Sequence, residues 1–265
     1  MNFMIGNGLT IHYSLEGTRE GIPLVFINAL GTDMRIWDGV VPHLAVRHPV
    51  LRFDKRGHGL SDCPPAPYKI HDFSSDLLGL LDQLEIIQAI IIGISVGGMI
   101  ALDFASHWPE RVNSMVLCDT APMIGTARLW NDRIDRLREH GMQSMAQAIL
   151  ARWFAPSFKE KSPAAYNGYY NMLTRAAVEG YTGTCEAIRD ADLTEAASAV
   201  EADALVLCGT QDLSTPPGSV QELAGLMPNA GFKLISDAGH LACIEQPDAL
   251  AEQIQQFLRA PLSRS

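Results

Sequence analysis

Short apolar segments alternate with helical segments along most of this chain, and the alternation limits the folds that it can adopt. The segments PLVFIN, AIIIG, VNSMVLCD and DALVLCG are rich in β-branched or large apolar residues, as buried strands are. Between two of them, Phe73, Leu77 and Leu80 recur at the spacing of one helical face. Parallel strands need crossover connections, which are usually helices. The sequence therefore predicts an α/β fold with a mostly parallel sheet and helices on both faces, and LTIHYSLEG as an edge-type strand.

The alternation stops over residues 121–187, which contain no convincing strand. In MQSMAQAILARWF, Met142 and Trp153 belong to one helical face, which predicts an apolar core for this helical segment. We predict a core domain formed by residues 1–120 and 188–265, with residues 121–187 inserted as a helical cap, or lid.

The composition excludes several classes of protein. A net charge of −10 disfavours nucleic acid and anionic membrane as partners, because both require a positive face. No stretch of the sequence approaches the ~18 apolar residues of a membrane span, and MNFMIGNGLT does not resemble a secretory signal. The five cysteines show no C-x-x-C spacing, so neither a zinc site nor a disulfide framework is expected. These features predict a cytoplasmic protein.

The segment GISVG, residues 93–97, matches the pattern G-x-S-x-G. It follows the apolar segment AIIIG directly and begins the helical segment GGMIALDFASHW, which is the setting that a nucleophile elbow requires. In such an elbow Ser95 would expose its hydroxyl, and the N–H of Val96 would lie where an oxyanion forms. The alternative interpretation is an ordinary tight turn between a strand and a helix.

A serine hydroxyl needs a base that is held by a carboxylate. After an elbow of this kind the acid and then the histidine follow in chain order. His240, between the last strand and the last helix, lies at the expected strand exit, which indicates that it is the base. Asp212 in LCGTQDLSTPP follows the penultimate strand and is the favoured acid, whereas Asp119 at the end of VLCD is the alternative.

These blocks resemble a known family. GISVGG, GTQD and AGHLACIEQP are similar to the three triad blocks of the α/β-hydrolase fold, and FDKRGHGLSD resembles that family's D-x-R-G-x-G-x-S turn. INALGTDMRIWD resembles the N-S-L-G-T-D…W-D block of 3-oxoadipate enol-lactonases, with Ala29 where serine is usual. LWNDRI, RWFAPSF and AIRDADLTE are similar to that family as well.

The resemblance implies a specific chemistry. Backbone N–H groups of Leu30 and Val96 would form the oxyanion hole, and Ser95, Asp212 and His240 the catalytic triad. The implied reaction opens an anionic enol-lactone through an acyl-enzyme, in the catabolism of aromatic compounds by the β-ketoadipate pathway. It needs no cofactor and no metal.

An anionic substrate needs a local positive group in an acidic protein. Trp130 and Arg133 share one face of a predicted helix, because residues three apart are neighbours on a helix. We expect Trp130 to wall the pocket and Arg133 or Arg189 to bind the substrate carboxylate. The alternative is a surface helix that carries ion pairs such as Asp132–Arg136.

Other functions remain open at this stage. The first alternative is another small hydrolase of this fold, such as a carboxylesterase, a carbon–carbon bond hydrolase or a cofactor-free perhydrolase. The second is a slow, hydrolase-like ligand receptor. The expected partner is a small anionic lactone, and the oligomeric state is open, with a homo-oligomer among the options.

Overall fold

The computed structural model describes residues 2–259. In this part of the chain the strands are β1 Asn2–Gly6, β2 Leu9–Gly17, β3 Leu24–Ile27, β4 Pro49–Phe53, β5 Ala89–Ile94, β6 Val112–Cys118, β7 Asp203–Gly209 and β8 Ala230–Ile235. They form one sheet in the order β1-β2-β4-β3-β5-β6-β7-β8. All pairings from β4 to β8 are parallel, whereas β1–β2 and β2–β4 are antiparallel. The predicted mostly parallel sheet is confirmed.

The position of β2 in the sheet differs from the prediction. LTIHYSLEG forms β2, which lies between β1 and β4, so its predicted edge position is wrong. The edge is formed by β1, which pairs with β2 through a turn in which Asn7 and Gly8 have φ of 51° and 77°. Asn-Gly is a favoured pair for such a hairpin turn, because both positions need positive φ.

The helices connect the strands and cover the sheet. They are α1 Val41–Leu44, α2 Ile70–Gln83, α3 Val96–His107, α4 Ala127–His140, α5 Ala146–Trp153, α6 Phe158–Lys161, α7 Pro163–Thr174, α8 Val178–Arg189, α9 Thr194–Ala199, α10 Pro217–Leu226, α11 Ala242–Glu245 and α12 Pro247–Arg259. Successive side chains of a strand point to opposite faces, and every residue of β5 is buried. The centre of the sheet is therefore covered on both faces. Between residues 2 and 259, no helix is long and apolar enough to cross a membrane.

The segment between β6 and β7 contains helices α4 to α9 and, within the described residues, no strand. The predicted boundary between residues 187 and 188 falls inside α8. The assignment of 121–187 as a separate cap stays a prediction, and we use the word cap for helices α4 to α8.

Helix α8 lies against the core through glycines. A Cβ atom on Gly180 would lie 2.1 Å from the carbonyl oxygen of Gly57, in the turn after β4. A Cβ on Gly31, in the loop after β3, would lie 2.7 Å from the ring of Tyr181 in α8. These two close approaches place helix α8 of the cap against the loops that follow β3 and β4.

Candidate active site

Ser95 lies in the turn between β5 and α3, as the sequence predicts. Its backbone has φ 58° and ψ −124°, in the left-handed region that residues with a side chain rarely adopt. Two hydrogen bonds fix this conformation: the Ser95 N–H donates to Cys118 O at 3.0 Å, and the Thr120 hydroxyl donates to Ser95 O at 2.6 Å. Strain of this kind persists only where the surroundings impose it, and it is frequent at active sites.

The glycines of GISVG are required by close backbone approaches. A Cβ on Gly93 would lie 2.2 Å from Gly97 O, and one on Gly97 would lie 2.3 Å from Ile27 O. No side chain fits at either position, so strand, turn and helix pack tightly enough to hold Ser95 at the carboxyl edge of the sheet.

His240 and Asp212 come together from two different strand exits. Asp212 follows β7, His240 follows β8, and both are buried. The distance from His240 Nδ1 to Asp212 Oδ2 is 2.8 Å. Because the carboxylate accepts the Nδ1 hydrogen, Nε2 is the nitrogen that can take up a proton.

The Asp212 carboxylate is built to stay ionised. Burial raises its pKa. The charge of His240 and the hydrogen bonds from His240, Thr215 and Ser214 lower the pKa by more than burial raises it, so the net shift is downward. The Ser214 N–H donates to Oδ1 at 2.7 Å, and the Thr215 hydroxyl donates to Oδ2 at 2.7 Å. An ionised Asp212 orients the imidazole and stabilises its protonated form.

Asp119, the alternative acid, is directed elsewhere. Its Oδ1 accepts the N–H of Gly209 at 2.8 Å, and its Oδ2 is buried with no partner in the described part of the chain. Burial raises the pKa of Asp119 well above its usual range, and the nearby Asp212 charge raises it further. The raised pKa favours the protonated form of Asp119 beside the ionised Asp212, and Asp119 makes no hydrogen bond to His240 in the described residues.

Two backbone N–H groups are available beside Ser95. The N–H of Leu30 and that of Val96 have no acceptor within residues 2–259, whereas Gly31 N–H, next along the loop, donates to His58 Nε2 at 3.0 Å. Burial, followed by the charge of Lys55, lowers the pKa of His58 well below its usual value, so its imidazole is neutral and can accept. The N–H groups of Leu30 and Val96 are thus free to donate in this part of the chain, and their role as oxyanion donors stays a prediction.

Ser95, His240 and Leu30 line one cavity. Most of its other lining residues belong to cap helices α4, α5 and α8, including Trp130 and Arg133 of α4. The structure therefore brings the predicted nucleophile, base and substrate-binding residues to one cavity.

Arg133 contributes an incompletely paired cation to this cavity. Its guanidinium carbon lies 4.7 Å from the centre of the Trp130 ring, a cation–π distance. Its Nε is buried with no partner among the described residues. Arg189, the other predicted candidate, bonds Asp190 at 2.7 Å and Asn131 at 2.9 Å and does not line the cavity. The geometry thus favours Arg133 over Arg189.

The comparisons with known proteins agree with this geometry. A family model described as alpha/beta hydrolase fold matches residues 22–247. The chain belongs to the α/β-hydrolase family. A 3-oxoadipate enol-lactonase 2 of Acinetobacter baylyi is 33% identical to it over 251 residues, which are 95% of this chain and 94% of that protein.

Two further relatives are also named as enol-lactonases. A 3-oxoadipate enol-lactonase 1 of the same organism is 29% identical over 98% of this chain and 97% of its own length. The crystal structure of the enol-lactonase from Burkholderia xenovorans LB400 superimposes with a TM-score of 0.95 at 36% identity, covering 98% of this chain and all of that one. The protein is therefore a hydrolase, although α/β hydrolases with other activities also match.

In this α/β hydrolase, sequence reasoning missed Arg152 of α5, which also lines the cavity. Burial lowers the pKa of Arg152, and the positive charge of Arg133, which lines the same cavity, lowers it further. Trp153, predicted as cap core, is buried and lines the cavity as well. The motif RWFAPSF contains both residues, but nothing in it indicates which face of α5 meets the cavity.

Proposed function

We propose that this hydrolase opens an anionic enol-lactone, converting 3-oxoadipate enol-lactone to 3-oxoadipate. One observation carries the proposal: a single cavity is lined by Ser95, by His240 in contact with Asp212, and by Arg133 and Arg152. The first three form a serine hydrolase site, and the two cations select a negatively charged substrate.

The first half of the reaction acylates Ser95. His240 Nε2 takes the proton of Ser95 Oγ as the oxygen attacks the lactone carbonyl. The N–H groups of Leu30 and Val96 stabilise the tetrahedral oxyanion, and one such donor is worth ~3 kcal/mol. Collapse of this intermediate breaks the ring C–O bond, and the enolate that leaves takes a proton from His240 and tautomerises to the ketone.

The second half releases the product. His240 takes a proton from water, and the hydroxide attacks the acyl carbon between the same two backbone donors. Cleavage of the Ser95 ester returns the proton to Oγ and frees a carboxylic acid, which ionises. The product therefore carries one more negative charge than the lactone.

The substrate carboxylate is assigned to Arg133. The chain as a whole is acidic, with a net charge of −10, so attraction of an anion depends on local cations. Arg133 has an unused buried Nε, and Trp130 beside it offers a flat apolar wall for the lactone ring. The 3-oxoadipate enol-lactonases among its relatives support this substrate, and the aromatic catabolism implied by that resemblance supplies the metabolic setting.

A spectrophotometric assay with the enol-lactone tests the proposal. Wild-type protein should consume the lactone, and Ser95→Ala should lower kcat by roughly 10⁵-fold, because the nucleophile is removed. The matched control is Ser106→Ala, on the exposed side of the same helix α3, which should retain activity.

Two results would reject the proposed function. Lactone turnover that survives in Ser95→Ala would reject the serine mechanism. Turnover of simple aryl esters without any turnover of the enol-lactone would keep the mechanism and identify the protein as a carboxylesterase instead.

A further inference from the structure

The peptide unit between Ala29 and Leu30 has a charged group on one side. Lys55 Nζ donates a hydrogen bond to Ala29 O at 2.7 Å, and the Lys55 side chain is almost completely buried. The carbonyl of Ala29 and the N–H of Leu30 belong to the same planar amide and point in opposite directions. The ammonium group therefore lies on the opposite side of this peptide from the N–H of Leu30, a residue that lines the cavity.

Ala29 O receives two further donors. The Thr32 hydroxyl donates to it at 3.0 Å and the Thr32 N–H at 3.3 Å. Hydrogen bonds in a chain polarise one another, so donors on a carbonyl oxygen strengthen the N–H of the same amide as a donor. A cation at 2.7 Å contributes most, because charge-assisted bonds are the stronger ones.

The carboxylates near Lys55 are occupied by other partners. Asp54 accepts hydrogen bonds from His12 Nδ1 at 2.7 Å, from Met34 N–H at 2.8 Å and from Leu60 N–H at 2.9 Å. A buried ammonium is costly unless it is well paired. The Lys55 ammonium donates its hydrogen bond to the Ala29 carbonyl, which already accepts two hydrogen bonds from Thr32. The Ala29 carbonyl therefore does not need Lys55 as a hydrogen-bond donor, which indicates another role for the ammonium.

We propose that Lys55 is a positioning residue of the oxyanion hole, whose ammonium orients and polarises the Ala29–Leu30 peptide so that Leu30 N–H stabilises the oxyanion. This inference rests on the proposed serine mechanism and extends it. Lys55 touches neither the substrate nor the reacting atoms, and it acts through the peptide.

The charge on Lys55 depends on pH in the neutral range. Burial lowers the pKa of Lys55 to about 7, against the opposing effect of the Asp54 and Asp33 carboxylates. The nearby His58 is neutral, since its own pKa is lowered by burial and by Lys55. The stabilisation of the oxyanion should therefore weaken as the pH rises through about 7.

The first test compares Lys55→Met with wild type, using the enol-lactone or, if that is not a substrate, 4-nitrophenyl acetate. The variant should lose kcat by roughly tenfold with KM nearly unchanged, because the lost polarisation acts on the transition state. The matched control is Lys233→Met in β8, which removes an ammonium that bonds Gln253 and Gln256 at an exposed site. Its kcat and KM should equal those of wild type.

The second test uses a phosphonate, whose adduct with Ser95 has the tetrahedral geometry of the reaction intermediate. A 4-nitrophenyl alkylphosphonate loses 4-nitrophenolate as Ser95 Oγ bonds to phosphorus, and the adduct places an oxygen between Leu30 and Val96. Lys55→Met should slow this inactivation by a similar factor. Thr32→Val removes a neutral donor to the same carbonyl and should slow it less than Lys55→Met does.

The third test measures the pH dependence of the wild-type protein and compares it with that of Lys55→Arg. In wild type the inactivation rate should decrease as the pH rises above about 7. In Lys55→Arg, whose cation does not titrate, the decrease should be absent. A wild-type rate that keeps rising or stays level above this pH would overturn the proposal, and so would a Lys55→Met variant with wild-type kcat.

These outcomes separate the two proposals. If Ser95→Ala remains active, the serine mechanism fails and the role of Lys55 fails with it. If Ser95→Ala is inactive while Lys55→Met has wild-type kcat, only the role of Lys55 fails.

Discussion

Asp119 and Asp212 are two buried carboxyl groups, at the ends of neighbouring strands, whose pKa values are shifted in opposite directions. Asp212 accepts hydrogen bonds from His240, Thr215 and Ser214, which hold its pKa down. Asp119 has one backbone donor and an unpartnered oxygen, and its pKa is raised well above the usual range by burial and by Asp212. Asp119 is thus suited to remain neutral, and Asp212 to act as the anion beside the histidine.

This difference predicts how Asp119→Asn changes stability with pH. The folded protein holds the Asp119 proton more tightly than the unfolded chain does, so its stabilisation is complete below the unfolded pKa and is lost as the pH rises through the folded pKa. Asn cannot titrate, so the free energy of unfolding of the variant, measured against wild type by urea denaturation, should rise as the pH increases above about 4.

The same variant has a functional control. Asp119→Asn should keep kcat within about threefold, because an amide replaces an already neutral acid, whereas Asp212→Asn should lose roughly 10⁴-fold, because the imidazole loses its orienting anion. A pH-independent stability difference for Asp119→Asn, or a large loss of its kcat, would show that Asp119 is ionised in the folded protein.

At the residue scale, the sequence predicted the groups that have a local signal. Ser95 lies in a motif between strand and helix, and His240 and Asp212 follow it at strand exits in the order that such an elbow requires. Lys55 and Arg152 had no such signal. Their roles depend on approaches between distant parts of the chain: Lys55 reaches Ala29, and Arg152 of α5 lines the same cavity as Arg133 of α4.

At the scale of elements, helix α4 presents its Trp130 and Arg133 face to the cavity and its remaining arginines elsewhere. Arg138 pairs with Glu186 at 2.9 Å, and Arg128 lies 4.0 Å from Asp132. The sequence predicted the shared face correctly from helical spacing. It did not indicate which of several arginines on this helix meets the cavity, because that depends on how α4 packs.

The position of Arg133 predicts a charge-selective defect. Arg133→Ala should lower kcat/KM for the anionic lactone by roughly 10²-fold, because a buried charge-assisted contact is lost, and should leave a neutral aryl ester much less affected. The control is Arg128→Ala on the same helix, whose side chain is 93% exposed. Equal losses for the neutral and the anionic substrate would remove Arg133 from carboxylate binding.

The contact between α8 and the core predicts a second, structural effect. In the middle of a helix alanine is favoured over glycine by ~1 kcal/mol, yet Gly180→Ala would place Cβ 2.1 Å from Gly57 O. We expect the variant to lose about 2 kcal/mol of unfolding free energy, because one backbone must move away from the other. Gly168→Ala in α7, where a Cβ meets nothing within 4 Å, should instead gain stability.

Thermal denaturation of both glycine variants checks this expectation. If Gly180→Ala is as stable as Gly168→Ala, the approach of α8 to Gly57 is looser than the structure shows. Activity gives a second measurement, since a displaced α8 would also move Tyr181 away from Gly31 and from the cavity that it lines.

At the scale of the whole molecule, the parallel sheet explains why distant residues meet. The strands β3, β5, β7 and β8 end at one edge of the sheet. The loops that follow them carry Leu30, Ser95, Asp212 and His240, in that order. This layout was predictable from the alternation of strands and helices. The hairpin that adds β1 was not among the predicted elements, although Asn-Gly at residues 7 and 8 favours such a turn.

The insertion of the cap between β6 and β7 makes substrate choice and catalysis separable in the gene. Trp130, Arg133 and Arg152 lie on one uninterrupted stretch of chain, whereas Ser95 and the Asp212–His240 pair lie outside it. A chimaera that exchanges this stretch between two related hydrolases would transfer the carboxylate-binding residues in one step and leave the proton-transfer machinery unchanged. Such a graft has to keep a glycine opposite Gly57, since the donor helix must seat there.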